Sequence, residues 1–255
     1  MILLQAVLCA VAFLTRVPVP SRSTLPPRVA GLSVAFFPVV GLLLGLFSAG
    51  AAWLLLDRLH WPPHPLWALV LVALQAFLTG ALHLDGLSDV ADGLGGSRGD
   101  RARALEIMKD PRIGAFGTVS LILLLMAKVL ATHEVLRVPA RTAALLACPM
   151  AARFGAVILV VFFPCARPTG LARTFHDESR WPMALVAAGL TTVALGLLGP
   201  DLFLPVGASL LVALGVGGWI AGRLGGLTGD AYGAAIELGE VVFLLGLAVP
   251  SVRAG

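Results

Sequence analysis

The sequence predicts an all-α, polytopic integral membrane protein: a helical bundle of about seven transmembrane helices preceded by a short N-terminal apolar helix. Of the 255 residues, 58% are hydrophobic and only 13% are charged, and the mean hydropathy is +0.96. Soluble domains average about 45–50% apolar and about 25% charged residues. The 18 basic and 14 acidic residues are too few to cover a soluble bundle of this size. No internal repeat or linker divides the chain, so a single catalytic domain over residues 1–255 is expected.

Seven stretches are long and apolar enough to cross a membrane, which takes about 20 residues. They are Leu32–Leu56, Leu66–Leu82, Ala115–Ala131, Thr142–Phe163, Met183–Leu198, Leu202–Ile220 and Ala235–Val249. The N-terminal stretch Met1–Leu14 is short for a span, so it crosses with strain, re-enters or lies at the interface. It has neither a basic segment before it nor a small-residue cleavage site after it, which favours part of the mature protein over a signal peptide.

The basic residues indicate the orientation of these spans. If the polar segments alternate sides, twelve of the 18 basic residues share one side and four share the other, while Lys128 and Arg153 fall inside spans. The richer side carries Arg16, Arg22, Arg28, Arg98, Arg101, Arg103, Lys109, Arg112, Arg167, Arg173, Arg180 and Arg223. Because cytoplasmic loops carry an excess of Lys and Arg, this side is predicted to be cytoplasmic. All the motif-like stretches lie on it.

The stretch LHLDGLSDVADG, residues 82–93, places three carboxylates directly after an apolar run. In a helix that advances about 100° per residue, Asp85, Asp89 and Asp92 lie within about 60° of one another. Like charges at this spacing repel, so the face is unfavourable unless a cation neutralises it. Hard oxygen ligands suit Mg²⁺, so all three are predicted to be metal-binding and catalytic. The alternative, a solvated face with capping aspartates, explains one acid and not three in register.

His83 and two cations extend the predicted site. A lone histidine at a helix end is more often a hydrogen-bonding neighbour than a ligand, so His83 is assigned to substrate binding and not to the metal. Lys109 and Arg112 belong to the same polar segment as the acids, and cations beside a metal–carboxylate cluster fit a diphosphate substrate. Arg101 and Arg103 are interpreted as positive-inside anchors.

Three further arginines are predicted to contribute to substrate binding. Arg16 lies between an apolar run and two prolines, and its alternative role is to set the membrane topology of the chain. Arg153 lies near the middle of an apolar run, where a charge costs at least about 2.5–3.5 kcal/mol, so it should face the interior and pair with an acid or a substrate phosphate. Arg167 lies in the stretch PCARPTGLARTF, which also carries Gly170.

The stretch GGLTGDAYGAAIELGE near the C-terminus adds three acids. Asp230 follows a glycine-rich turn and is predicted to be catalytic, either completing the metal site or accepting a proton. Glu237 and Glu240 lie three residues apart on the last span, where an acid is a functional candidate. Glu237 is assigned to substrate binding, and ion pairing of both glutamates with Arg153 or Lys128 is the open alternative.

Together these stretches resemble the adenosylcobinamide-GDP ribazoletransferase family, also called cobalamin 5′-phosphate synthases. The resemblance runs nearly end to end and includes FLTRVPVP, FFPVVGLLLG, HLDGLSDVADGL, EIMKDPRIGAFG, ARPTGLARTF and GGLTGDAYGA. Ser88, Val90 and Pro111 depart from the family pattern without removing a charged group. The resemblance implies a multi-pass enzyme of the bacterial cytoplasmic (inner) membrane, with its active site facing the cytoplasm. It also implies that the enzyme joins adenosylcobinamide-GDP to α-ribazole or its 5′-phosphate, releases GMP and requires Mg²⁺.

The implied chemistry is a phosphoryl-group transfer at the last assembly stage of cobalamin biosynthesis. The ribazole hydroxyl attacks the cobinamide-bearing phosphorus, and GMP departs. Two other classes are weighed against it. A lipid enzyme like the CDP-alcohol phosphotransferases performs the same bond exchange, but its wider acid pattern is absent. A divalent-cation transporter also has acids in spans, but here the acids concentrate at cytoplasmic loops and no matched half-repeats occur.

Other partners are limited by composition. Cys9, Cys148 and Cys165 show no CxxC spacing, so neither a disulfide framework nor a zinc site is indicated. With one tyrosine and no basic–aromatic interleaving, no nucleic-acid partner is expected. Membrane lipids surround the spans. Small-residue stretches such as Gly41–Gly50 could pack within or between chains, which leaves a homo-oligomer open.

Overall fold

The computed structural model describes residues 2–19 and 26–254, with the side chains of those up to residue 248. Within these ranges the chain is helical, without a β-strand and with one isolated bridge between Cys165 and Leu227. The predicted all-α class is therefore confirmed. Arg22, which entered the orientation argument, lies outside the described residues.

Twelve α-helices make up most of the described part of the chain. Helices α1 to α6 are Ile2–Leu14, Pro27–Ser33, Phe37–Ala52, Pro65–Thr79, Leu82–Gly96 and Arg101–Ile107. Helices α7 to α12 are Ala115–Val135, Arg141–Phe162, Leu171–Glu178, Trp181–Leu198, Phe203–Leu224 and Gly229–Ala254. Short 3₁₀ segments at Val34–Phe36 and Pro200–Leu202 and a π-helical segment at Trp53–Arg58 adjoin these helices.

Six helical segments of the described chain are long and apolar enough to cross a membrane. They are Pro27–Arg58, Ala115–Val135, Arg141–Phe162, Trp181–Leu198, Pro200–Leu224 and Gly229–Ala248. Each overlaps one of the seven predicted spans, so a multi-pass helical bundle is confirmed. The N-terminal helix α1 has 13 residues and is too short to belong to this set.

The remaining predicted span, Leu66–Leu82, is interrupted. Helix α4 ends at Thr79, and the backbone turns through Gly80 (φ +62°) and Ala81 (φ +57°) before α5 begins. The two helices together have the length and composition of a span, but their axes differ by 88°. Left-handed backbone is strained for alanine and easy for glycine, so the glycine permits the turn that the hydropathy pattern did not show.

Glycines bring the packed helices close together. A methyl group at Gly41 of α3 would lie 2.4 Å from the carbonyl oxygen of Pro149 on α8, and one at Gly45 would lie 2.6 Å from that of Leu146. The small-residue stretch of α3 therefore packs against α8 within the chain, apart from Gly50, which faces open space. Helix α12 is the centre of the bundle, since it packs against α5, α7, α8 and α11.

Candidate active site

A cavity of about 440 Å³ opens between α5 and the segment that follows α6. We call it the acidic cavity. Four of the predicted site residues line it: Asp85 and Asp89 from α5, and Lys109 and Arg112 from the segment between α6 and α7. Helix α5 follows the apolar α4 and is not itself one of the six long spans. The fold thus brings two carboxylates and two cations of the polar segment around one opening.

Asp92 points away from this opening, toward the start of α7. Its Oδ2 accepts a hydrogen bond from the backbone N–H of Gly114 at 2.7 Å, and its Oδ1 accepts one from that of Gly117 at 2.9 Å. The first N–H groups of a helix have no partner within the helix and favour a negative charge. Asp92 therefore caps α7, so the capping alternative holds for this aspartate, whereas Asp85 and Asp89 face the cavity.

Asp110 orients Arg112 at the rim of the acidic cavity. The guanidinium donates to both carboxylate oxygens of Asp110, with Nε–Oδ1 at 2.9 Å and Nη2–Oδ2 at 2.7 Å, and the Arg112 backbone N–H donates to Oδ1 at 3.0 Å. These bonds hold the pKa of Asp110 at about 2. The Arg112 side chain is 86% exposed, so an incoming anion can reach it.

Asp89 is partly buried and lies near other carboxylates, which disfavours its charged form. Its pKa is raised to about 7, chiefly by burial and further by the charges of Asp85 and Asp230, while Arg167 acts in the opposite direction. Carboxylates this close cannot all ionise comfortably without a cation between them. The electrostatics of the cluster therefore favour a bound cation, as the spacing of the acids predicts.

Asp230, at the start of α12, joins the site from a second direction. Arg167 Nη2 lies 3.1 Å from Asp230 Oδ2 and also donates to the Met108 carbonyl oxygen at 3.4 Å. Thr228 donates its hydroxyl to the same Asp230 oxygen at 3.3 Å and accepts from the Ala231 N–H, which caps α12. Arg167 thus links the C-terminal helix to the segment that carries the cations.

A buried network holds the other charged candidates. Lys128 Nζ lies 2.5 Å from Glu237 Oε2 and 2.6 Å from Glu240 Oε2. The guanidinium of Arg153, which is 1% exposed, pairs with Glu240 and lies 3.3 Å from His83 Nδ1. None of these five residues lines the acidic cavity. Both glutamates therefore form ion pairs with Lys128, and Glu240 also with Arg153, as the alternative prediction has it. Because these partners are buried together, the geometry does not support the predicted substrate roles of Arg153 and Glu237.

Arg16 lies at the bend between α4 and α5. Its backbone N–H donates to the Leu78 carbonyl oxygen at 2.8 Å, and its side chain covers Gly80, where a methyl group would come within 2.2 Å of the arginine Cγ. The Arg16 side chain is exposed but does not line the acidic cavity. Its direct role in this structure is to pack on the turn that redirects α5.

The donor set fits Mg²⁺ in part. Among the described residues, no group of three His, Cys, Asp or Glu side chains is arranged to hold a metal ion by itself. Mg²⁺ ordinarily keeps several waters and takes one or two carboxylates together with substrate phosphates. Asp85 and Asp89 on an open cavity supply such carboxylates. The metal role therefore stays a prediction, with the oxygen chemistry that it needs in place.

Sequence reasoning missed two residues that arrange the site. Asp110 orients Arg112. The sequence indicated this contact, because an aspartate side chain often accepts from the backbone N–H two residues later. Thr228 caps α12 and bonds Asp230, and its signal was a threonine at the end of a glycine turn before a helix. Both contacts join residues close in sequence, so they could have been predicted from it.

The fold and the cavity define a multi-pass membrane protein whose polar site combines carboxylates and cations, as phosphate-transferring enzymes do. A family model described as "Cobalamin-5-phosphate synthase" matches residues 6–248. The chain belongs to this family, a family of transferases, which confirms the resemblance.

Curated relatives are similar over almost the whole chain, and each is named adenosylcobinamide-GDP ribazoletransferase. The protein from Geotalea daltonii is 42% identical over 249 residues, which are 96% of this chain and 97% of the relative. The protein from Klebsiella pneumoniae is 40% identical over 252 residues, 96% of this chain and 100% of the relative. The protein from Pseudomonas putida is 41% identical over 244 residues, with 94% and 97% covered. No solved structure matches.

Proposed function

We propose that this protein transfers the adenosylcobinamide phosphate of adenosylcobinamide-GDP to α-ribazole or its 5′-phosphate, releasing GMP and forming adenosylcobalamin or its 5′-phosphate. The observation that carries the proposal is the composition of the acidic cavity: Asp85 and Asp89 face Lys109 and Arg112. A diphosphate needs cations for its charge and carboxylates for its metal ion. The names of the relatives supply the reaction to which this general chemistry is applied.

In the proposed reaction the acceptor hydroxyl oxygen forms a bond to the cobinamide-bearing phosphorus, and the bond from that phosphorus to the GMP phosphate oxygen breaks. Lys109 and Arg112 bind the diphosphate and neutralise the charge that develops on departing GMP. Asp230 accepts the hydroxyl proton or completes the metal site, and Arg167 holds its carboxylate in position. Bound Mg²⁺, held by Asp85 and Asp89, would supply charge neutralisation at the attacking and leaving oxygens.

We further propose the bacterial inner membrane as the location, with the acidic cavity on the cytoplasmic side. The excess of basic residues in the segments that border the cavity supports this orientation. A cytoplasmic cavity suits substrates that carry phosphates, because charged molecules do not enter the hydrocarbon core. The bilayer lipids then contact the exposed apolar side chains of the six long spans.

The test is GMP release by the full-length protein in lipid nanodiscs, supplied with adenosylcobinamide-GDP, α-ribazole and MgCl₂. We expect release to need all three, and Asp89→Asn to lower turnover at least about 100-fold without loss of folded protein. Asp100→Asn is the matched control, since Asp100 is an exposed cap of α6 and asparagine also caps helices. Near-normal turnover of Asp89→Asn would contradict the metal assignment. Transfer from a CDP-linked lipid, or cation flux without GMP, would favour the two other classes.

A further inference from the structure

A second cavity, of about 110 Å³, shares Asp85 with the acidic cavity. We call it the aromatic pocket. Helices α1, α3, α5, α8 and α12 all contribute to its wall, which is largely apolar and includes Phe13, Phe37 and Ile236. Its polar residues are His83, Asp85, Asp230 and Tyr232. Of its residues, Asp85 and Asp230 have roles in the proposed reaction, and the rest of the pocket has none.

His83 contributes a hydrogen-bond donor that lacks a protein partner. Arg153 Nη2 lies 3.3 Å from His83 Nδ1. An arginine only donates, so Nδ1 is the acceptor, and the imidazole is neutral with its proton on Nε2. This assignment follows from the hydrogen-bond network. The Nε2 atom is buried and has no partner among the described residues, and the whole side chain is 4% exposed.

Tyr232 repeats this pattern on α12. Its hydroxyl is buried without a hydrogen-bond partner in the described part of the chain, and the residue is also 4% exposed. Buried polar groups in folded proteins are nearly always paired, so two such groups lining one cavity indicate a ligand that pairs with them. Apart from these two groups, the polar part of the wall is Asp85 and Asp230, and the rest of the wall is apolar.

The aromatic side chains in and beside the wall favour an aromatic ligand. The rings of Phe13 and Phe37 lie 5.7 Å apart at an interplanar angle of 23°, and Phe13 also contacts Phe175 with centroids 4.5 Å apart. Aromatic faces pack well on other aromatic faces. An apolar cavity of about 150 Å³ is known to hold one benzene. At about 110 Å³ the aromatic pocket is smaller than that cavity, so it encloses only part of a fused ring pair.

We propose that the aromatic pocket binds the benzimidazole base of the nucleoside acceptor, an inference that rests on the proposed function. In a benzimidazole nucleoside one ring nitrogen carries the sugar and the other keeps a lone pair, which accepts the free Nε2–H of His83. A base held in this pocket places its ribose where the two cavities meet, beside Asp85 and Asp230, and a ribose oxygen then accepts from the Tyr232 hydroxyl.

The first test separates the two substrates by their KM values. We expect Tyr232→Phe to raise the KM for α-ribazole about tenfold while the KM for adenosylcobinamide-GDP and kcat stay unchanged. Ser209→Ala is the matched control, because the Ser209 hydroxyl is also buried and unpartnered among the described residues but lies outside both cavities. A rise in the KM for adenosylcobinamide-GDP, or no rise for α-ribazole, would overturn the assignment.

The second test compares benzimidazole riboside with indole riboside, in which a C–H group replaces the accepting ring nitrogen. The wild type should use the indole compound about tenfold less efficiently, and His83→Asn should remove this preference. Asparagine can still accept from Arg153 but lacks the Nε2–H. Equal use of both ribosides by the wild type, or a preference that persists in His83→Asn, would refute recognition by His83. Absence of GMP release with α-ribazole itself would refute the proposed function instead.

Discussion

A methyl group at Gly86 of α5 would lie 2.7 Å from the carbonyl oxygen of Asp230 at the start of α12. The two backbones therefore meet with no room for a side chain between them. This approach places Asp85 and Asp89, on either side of Gly86, near the carboxylate of Asp230. The site depends on contact between helices that are far apart in sequence.

Gly86→Ala should lower turnover about 10- to 100-fold, because the methyl group forces α5 and α12 apart and displaces the carboxylates from one another. The measurement is GMP release per folded molecule. Gly50→Ala is the control, since no atom lies within 4 Å of a methyl group at Gly50 and alanine favours a helix. Equal activity of both variants would show that the contact does not position the acids.

Asp92→Asn should destabilise the protein by about 1–3 kcal/mol, because it removes the charge that accepts two backbone N–H groups at the start of α7. Thermal unfolding in detergent measures this loss, and Asp100→Asn, at the exposed cap of α6, should show little. If Asp92→Asn unfolds like the wild type but needs far more Mg²⁺, Asp92 is a metal ligand and the capping role is secondary.

Arg153→Leu should cost about 3–5 kcal/mol, since it leaves Glu240 in the buried network with one cation fewer. Folded yield from membranes and the unfolding temperature report the loss. The control is Arg173→Met, which breaks a surface pair with Asp177 whose side chains are roughly half exposed, so the variant should unfold like the wild type. Normal yield and stability of Arg153→Leu would mean that the network is dispensable.

Lys109→Met and Arg112→Met should each raise the KM for adenosylcobinamide-GDP about tenfold, because each removes a charge-assisted contact to the diphosphate. The KM for α-ribazole should not change. Arg103→Met serves as the control, since Arg103 is exposed on α6 and does not line the acidic cavity. An equal rise for all three variants would indicate a general effect of positive charge.

Much of this arrangement was predictable from the sequence because it follows local rules. Hydropathy located the six long spans, and helical phase placed Asp85 and Asp89 on one face. The same phase argument could not show that Asp92 turns to α7, because its partners Gly114 and Gly117 lie more than 20 residues away. Such a contact depends on how helices pack and not on their periodicity.

The charged residues inside the spans illustrate the same limit. Burial of Arg153 predicts a partner, but hydropathy cannot choose between a substrate phosphate and a glutamate on another helix. The choice is made by the packing of α12 against α7 and α8, which aligns Glu237 and Glu240 with Lys128 and Arg153. The aromatic pocket was likewise invisible, since five helices build its wall.

The left-handed turn at Gly80 and Ala81 determines where the acids of α5 lie relative to the axis of α4. A helix rises about 1.5 Å per residue, so a straight continuation of α4 would carry Asp89 roughly 15 Å farther along its axis. The 88° change of direction converts that advance into a sideways displacement. Measured along the axis of α4, the acids of α5 therefore lie near the end of α4. In the proposed reaction, a bulky corrinoid would then meet the acids at the end of α4 and not one helix length beyond it.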